Sequence, residues 1–122
     1  MSNKPTAIAF LNTVIAGQIR QAYDQYVASD FRHHNPYFKG DRESLLLAME
    51  ESERNMPNKT FEIQRVLEEG DTIAVHSRLI LQPGQPEMAT VHIFRFQDGL
   101  IVEAWDIGQQ SPEKSPNENG LF

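Results

Sequence analysis

The chain has 122 residues, 39% of them apolar, enough for one domain with a core of its own. It contains no cysteine, which removes disulfide frameworks, thiolate metal sites and cysteine nucleophiles, and fits a reducing compartment such as the cytoplasm. Seventeen acidic against eleven basic residues leave a net charge of −6, the wrong sign for a protein that neutralises phosphates, so nucleic acid is not an expected partner.

The N-terminal stretch MSNKPTAIAF lacks a basic region followed by a sustained apolar run, and no longer apolar run follows, so neither a cleaved leader nor a membrane segment is expected. From residue 5 to 28 the apolar positions Ile8, Leu11, Ile15, Ile19, Ala22, Tyr23 and Tyr26 recur at helical spacing. Gly17 interrupts them, and because a mid-helix glycine costs roughly 1 kcal/mol relative to alanine, two helices near 5–16 and 18–28 are expected rather than one rod.

Phe31 to Gly40, FRHHNPYFKG, is an extended piece followed by a loop pinned by Pro36. Its adjacent histidines, His33 and His34, must point in opposite directions on extended backbone, and His34, beside Asn35-Pro36, is the one assigned to the interior. Asp41 has the place of an N-cap for a third helix, with Glu43 in the first turn and Leu45, Leu46, Met49, Ser52 and Met56 on its buried side, until Pro57-Asn58 ends it.

From residue 60 the apolar period changes to two. Phe61 to Leu67, Ile73 to Gln82 and the two halves of Glu87 to Gly108 give four consecutive antiparallel strands, with turns at Glu69-Gly70-Asp71, Pro83 to Pro86 and Gln97-Asp98-Gly99. Three helices followed by such a meander define an α+β domain spanning residues 1–122, with an irregular polar tail over 109–122 whose apolar end, Leu121-Phe122, is expected to dock. No phosphate loop, nucleophile elbow or HExxH helix is present.

The last hairpin, EMATVHIFRFQDGLIVEAWDIG, carries the chemistry, and its turn decides which side chains share a face. With Asp98-Gly99 as a two-residue turn, His92 pairs with Trp105 and Asp106 lies on the opposite face from His92. With a three-residue Gln97-Asp98-Gly99 loop, Phe96 pairs with Leu100 and His92 sits opposite Ala104, diagonal to Asp106. The second form is favoured because it gathers Thr90, His92, Phe94, Val102, Ala104 and Asp106 on one face with room above the small alanine. The other face then carries Val91, Ile93, Arg95, Ile101, Glu103 and Trp105. A carboxylate in a dry pocket would have its pKa raised toward the range useful to a general base. His34, His76 and His92 could in principle form a metal site, but they lack the i, i+4 spacing that makes such a motif specific, and no metal is expected.

HNP at 34–36, AVH at 74–76, IFRFQDGLIVEAWDIGQ at 93–109 and the closing NENGLF together resemble the SnoaL-like branch of the NTF2-like superfamily. The resemblance implies a cone-shaped α+β barrel, three N-terminal helices packed on a strongly curved, mostly antiparallel sheet around an apolar pocket. It also implies a homodimer formed through the outer sheet face, with Val91, Ile93, Arg95, Ile101, Glu103 and Trp105 as interface candidates. Polyketide cyclases of this family use an aspartate near the end of the last strand for aldol chemistry without a cofactor. Asp106 matches that position, with His92 as its companion and His34 or His76 as hydrogen-bond donors to an enolate oxygen. Tyr23, Tyr26, Phe38, Phe94, Val102 and Ala104 are the expected lining of a small-molecule pocket. A non-catalytic ligand-binding module on the same fold is the competing reading, because fold alone does not fix function.

Overall fold

The computed structural model describes residues 2–122. Helix α1 spans Lys4–Ile15, with Pro5 in its first turn where a missing N–H costs nothing. It stops before Gly17, whose φ of +87° is open to glycine at little steric cost, and α2 resumes over Ile19–Tyr26. Strand β1, Val27–His33, follows without a linker. Helix α3, Arg42–Asn55, starts where the sequence placed it, with the Asp41 side chain accepting from the Ser44 N–H at 3.1 Å. Strands β2 (Thr60–Glu69), β3 (Thr72–Ile80), β4 (Met88–Gln97) and β5 (Leu100–Gln110) complete the chain. The last strand extends past residue 109, so the irregular tail begins at Ser111.

The five strands form one curved sheet in the order β1-β5-β4-β3-β2. Consecutive strands from β2 to β5 are antiparallel, while β1 runs parallel to β5 at one edge. The sheet does not close, because β1 and β2 are its two edges, so the expected barrel is an open, helix-filled cone. The core lies between the helices and the inner sheet face: Phe10 of α1, Tyr23 of α2 and Leu46 of α3 against Val75, Phe94 and Ile101.

The register of the last hairpin differs from both sequence alternatives. Asp98 and Gly99 have φ of 54° and 80°, the pair of positive angles that a two-residue type I′ turn requires, and Phe96 pairs with Ile101. One step later Arg95 pairs with Glu103, so Val102 is an extra residue in β5, a β-bulge. From there onward the pairing is shifted by one, and His92 stands directly opposite Asp106. A bulge and a longer loop both insert one residue, so Ala104 and Asp106 fall on the His92 face either way. The two differ at the start of the strand, where Ile101 is 1% exposed within the core cluster rather than on the outer, interface face.

The tail returns across the outer sheet face. Leu121 is half-buried and the Phe122 ring lies 5.5 Å from that of His76.

Candidate active site

Between the helices and the inner sheet face is a cavity of about 380 Å³, at the small end of the usual range for ligand sites. Its walls are mainly apolar, with Phe10 and Leu11 from α1, Met49 from α3, Phe61 from β2 and Phe94 from β4. The polar groups that reach it are few: His92 and Asp106 from the sheet, His33 and Asn35 from the end of β1 and its loop, Tyr23 from α2, and Ser52 and Lys59 near the end of α3. Lys59 is tied to that helix end, its Nζ donating to the carbonyls of Met56 at 2.7 Å and Ser52 at 3.2 Å.

His92 and Asp106 occupy the cavity wall as cross-strand partners. His92 is packed against Phe94, with centroids 6.0 Å apart, and its Nδ1 is buried with no protein partner. Burial lowers its pKa below the ordinary 6.5, with the Asp106 charge opposing in part, so the imidazole is held neutral. Asp106 itself is exposed at the rim, not the desolvated carboxylate that the sequence suggested, as are the β5 residues that follow it, Ile107 to Gln110.

The loop after β1 fixes that carboxylate. Asn35 Nδ2 donates to Asp106 Oδ2 at 3.0 Å, and Asn35 Oδ1 accepts from the Tyr37 N–H at 3.0 Å. The Asn35 N–H donates in turn to His33 Nδ1 at 3.1 Å, while His33 Nε2 donates to the Lys39 carbonyl at 2.7 Å. Both His33 nitrogens are therefore engaged in holding the loop, and the ring serves as a brace.

Of the expected pocket residues, Tyr23, Phe38, Phe94 and Ala104 line the cavity, whereas Tyr26 packs against the core beside it and Val102 stands in the bulge, outside the lining. The histidine assignments require two corrections. His33 faces the interior, and His34 faces out: β1 alternates from the buried Phe31 to His33, and His34 Nε2 meets Glu103 Oε2 at 2.6 Å while its ring stacks on Trp105 at 5.0 Å. His76 pairs with Val91 on the outer face, where Arg65 hydrogen-bonds its Nδ1. With His34 and His76 outside and His92 inside, the three-histidine metal set is split across the sheet. No group of three or more potential ligands is found among the described residues.

On the outer face, Val91, Ile93, Arg95 and Trp105 are half-buried, but Glu103 is only 5% exposed. It is clamped by Arg32 Nε at 3.0 Å, Arg95 Nε at 3.0 Å and His34, linking β1, β5 and β4. The Arg32 guanidinium first, then the hydrogen bonds with His34 and Arg95, hold its carboxyl at about 2, well below the ordinary 4.5.

Sequence reasoning missed His33, Asn35, Ser52 and Lys59. The alternation of His33 with apolar Phe31 was a usable signal, but Asn35 was read only as part of a turn.

A small α+β cone holding a mostly apolar cavity, with a carboxylate and a neutral imidazole on its sheet wall, is the NTF2-like architecture. The sequence profile of the SnoaL-like domain matches residues 7–104, and the chain belongs to that family. Its fold is similar to that of IdmH, a candidate polyketide cyclase from Streptomyces antibioticus, at 22% identity and a TM-score of 0.72 over 89% of this chain and 93% of that one. An NTF2-like protein of unknown function from Burkholderia xenovorans aligns at 19% identity and a TM-score of 0.75, over 94% and 88% of the two chains. No curated protein gives a significant match. Among the described residues, no helix is long and apolar enough to cross a membrane.

Proposed function

We propose that the protein is a cofactor-independent acid/base catalyst acting on a small apolar carbonyl compound, by aldol-type cyclisation or isomerisation. The observation that carries this reading is the direct pairing of Asp106 with His92 on the wall of one otherwise apolar cavity. The Asp106 carboxylate takes a proton from the carbon next to the carbonyl, and the C–H electron pair becomes the enolate double bond. His92, neutral and without a protein partner at Nδ1, is the acid or orienting group beside it. In the same reading the ligand enters past Phe38 and Asn35, and two copies of the chain pair through the outer sheet face around Ile93 and Trp105. Exposure of Asp106 at the rim favours a second reading, a binding module that retains its ligand without turnover.

Nitrobenzisoxazole tests the base directly. Removal of its ring proton breaks the N–O bond and releases a coloured cyanophenolate, with no further reactant needed. The protein should accelerate this elimination, and Asp106→Asn should reduce the acceleration by about 100-fold or more, the usual contribution of a positioned general base. Equal rates for Asp106→Asn and the natural protein would refute the mechanism, and saturable binding of the probe without turnover would establish the module reading.

A further inference from the structure

His34 and His76 face away from the cavity and His33 has both nitrogens committed, so none of these histidines can steady a charge developing on a ligand oxygen. A different side chain is placed to do so. Tyr23 is 1% exposed and lines the cavity from the helical wall, facing the sheet that carries Asp106. Its hydroxyl donates at 3.0 Å to Met49 Sδ, a thioether and hence a weak acceptor. A ligand oxygen would be a much better partner for that proton.

The ring is held from several sides. Phe10 and Phe31 meet it edge-on with centroids 5.8 and 6.2 Å away, and the Arg42 guanidinium lies 5.5 Å from its centroid while also donating to the Tyr23 carbonyl at 3.0 Å. A donor fixed in this way needs no reorganisation when charge appears. Burial also pushes the phenol well above its ordinary 10, with Asp106 adding to the effect despite Arg42, so it keeps its proton at any working pH.

We propose that the Tyr23 hydroxyl is the hydrogen-bond donor to the carbonyl oxygen of the ligand, opposite Asp106. The proposal rests on the acid/base reading above and deepens it by naming a second catalytic residue and a ligand class. As Asp106 takes the α proton, the carbonyl π pair moves onto oxygen and Tyr23 receives the growing charge through its O–H. A cavity of about 380 Å³, at the small end of the usual ligand range, fits a one- or two-ring ketone with a single carbonyl.

Tetralone, a two-ring ketone, is the probe: exchange of its α protons in D2O, followed by proton NMR, reports enolate formation. Tyr23→Phe preserves the ring and should lower kcat for exchange by about 10²- to 10³-fold with little change in KM, the effect of removing one such donor. If Asp106→Asn abolishes exchange while Tyr23→Phe leaves kcat unaltered, the Tyr23 assignment is overturned and the base assignment stands. If the natural protein exchanges no faster than Asp106→Asn, the base assignment fails. Binding of naphthol, whose oxygen stands in for the enolate oxygen, then decides Tyr23 separately: binding weakened at least tenfold by Tyr23→Phe supports the donor, and unchanged binding overturns it.

Discussion

Replacing Glu103 by glutamine removes the charge at the centre of the outer-face clamp while keeping the shape of the side chain. A carboxyl held at about 2 in the fold against an ordinary 4.5 corresponds to roughly 3 kcal/mol of stability at neutral pH. Arg32 and His34 are 66% and 47% exposed, so solvent screens their share and about 1–2 kcal/mol is the better expectation. The sign follows from the lowered pKa. The stabilisation is complete above the unfolded value of 4.5 and is lost as the pH falls from there toward 2. Urea denaturation at neutral pH should therefore show Glu103→Gln less stable by that amount, or a melting temperature lower by about 5 °C. Between pH 5 and 2 the natural protein should lose stability that the variant has already lost, so the two curves converge. Equal midpoints at neutral pH, or parallel loss in acid, would show that the clamp contributes nothing net.

Asn35→Ala should leave the thermal midpoint nearly unchanged, since its bond to Asp106 is exposed, yet reduce nitrobenzisoxazole turnover by disordering the carboxylate; unchanged kcat would remove Asn35 from the positioning role. His92→Phe deletes a buried nitrogen that has no partner, so the variant should be as stable as the natural protein or more so, while losing activity. Because burial lowers the pKa of His92, the natural protein should lose stability as the pH falls below 6.5 and His92→Phe should lose less, a difference that pH-dependent melting can measure. Asp41→Ala should cost about 1 kcal/mol through loss of the α3 cap, measured by urea denaturation.

Local chemistry made much of the fold legible. Gly17 broke the first helical pattern, Asp41 began α3, and the change of period near residue 60 began the meander, each because a few neighbouring residues suffice to decide the outcome. The parallel pairing of β1 with β5 was not legible, since it joins Val27–His33 to residues near 101–104 and no local pattern encodes that contact. For the same reason the choice between His33 and His34 went the wrong way: the side of β1 that faces the core is set by its distant partner, and the one local clue, Phe31, was outweighed by Asn35-Pro36. In the final hairpin the grouping of His92 with Asp106 survived an incorrect turn because an extra residue enters the ladder in either case. Ile101 and Val102, lying between the two possible sites of that insertion, were the residues assigned to the wrong faces.

The bulge at Val102 also bears on how this segment tolerates changes in length over evolution. A hairpin lacking that residue, but keeping the Asp98-Gly99 turn, would pair regularly and still present Ala104 and Asp106 to the cavity. Loss of the Val102 codon should thus be mild, whereas after loss of the Glu103, Ala104 or Trp105 codon Asp106 stays opposite His92 only if the bulge is given up and Val102 takes the outer-face place of Glu103 opposite Arg95. When sequences are aligned across β5, a gap belongs at 102; placed three residues later, it would move the residues matching Glu103, Ala104 and Trp105 by one column, and so to the opposite face on paper, while the pocket stayed the same.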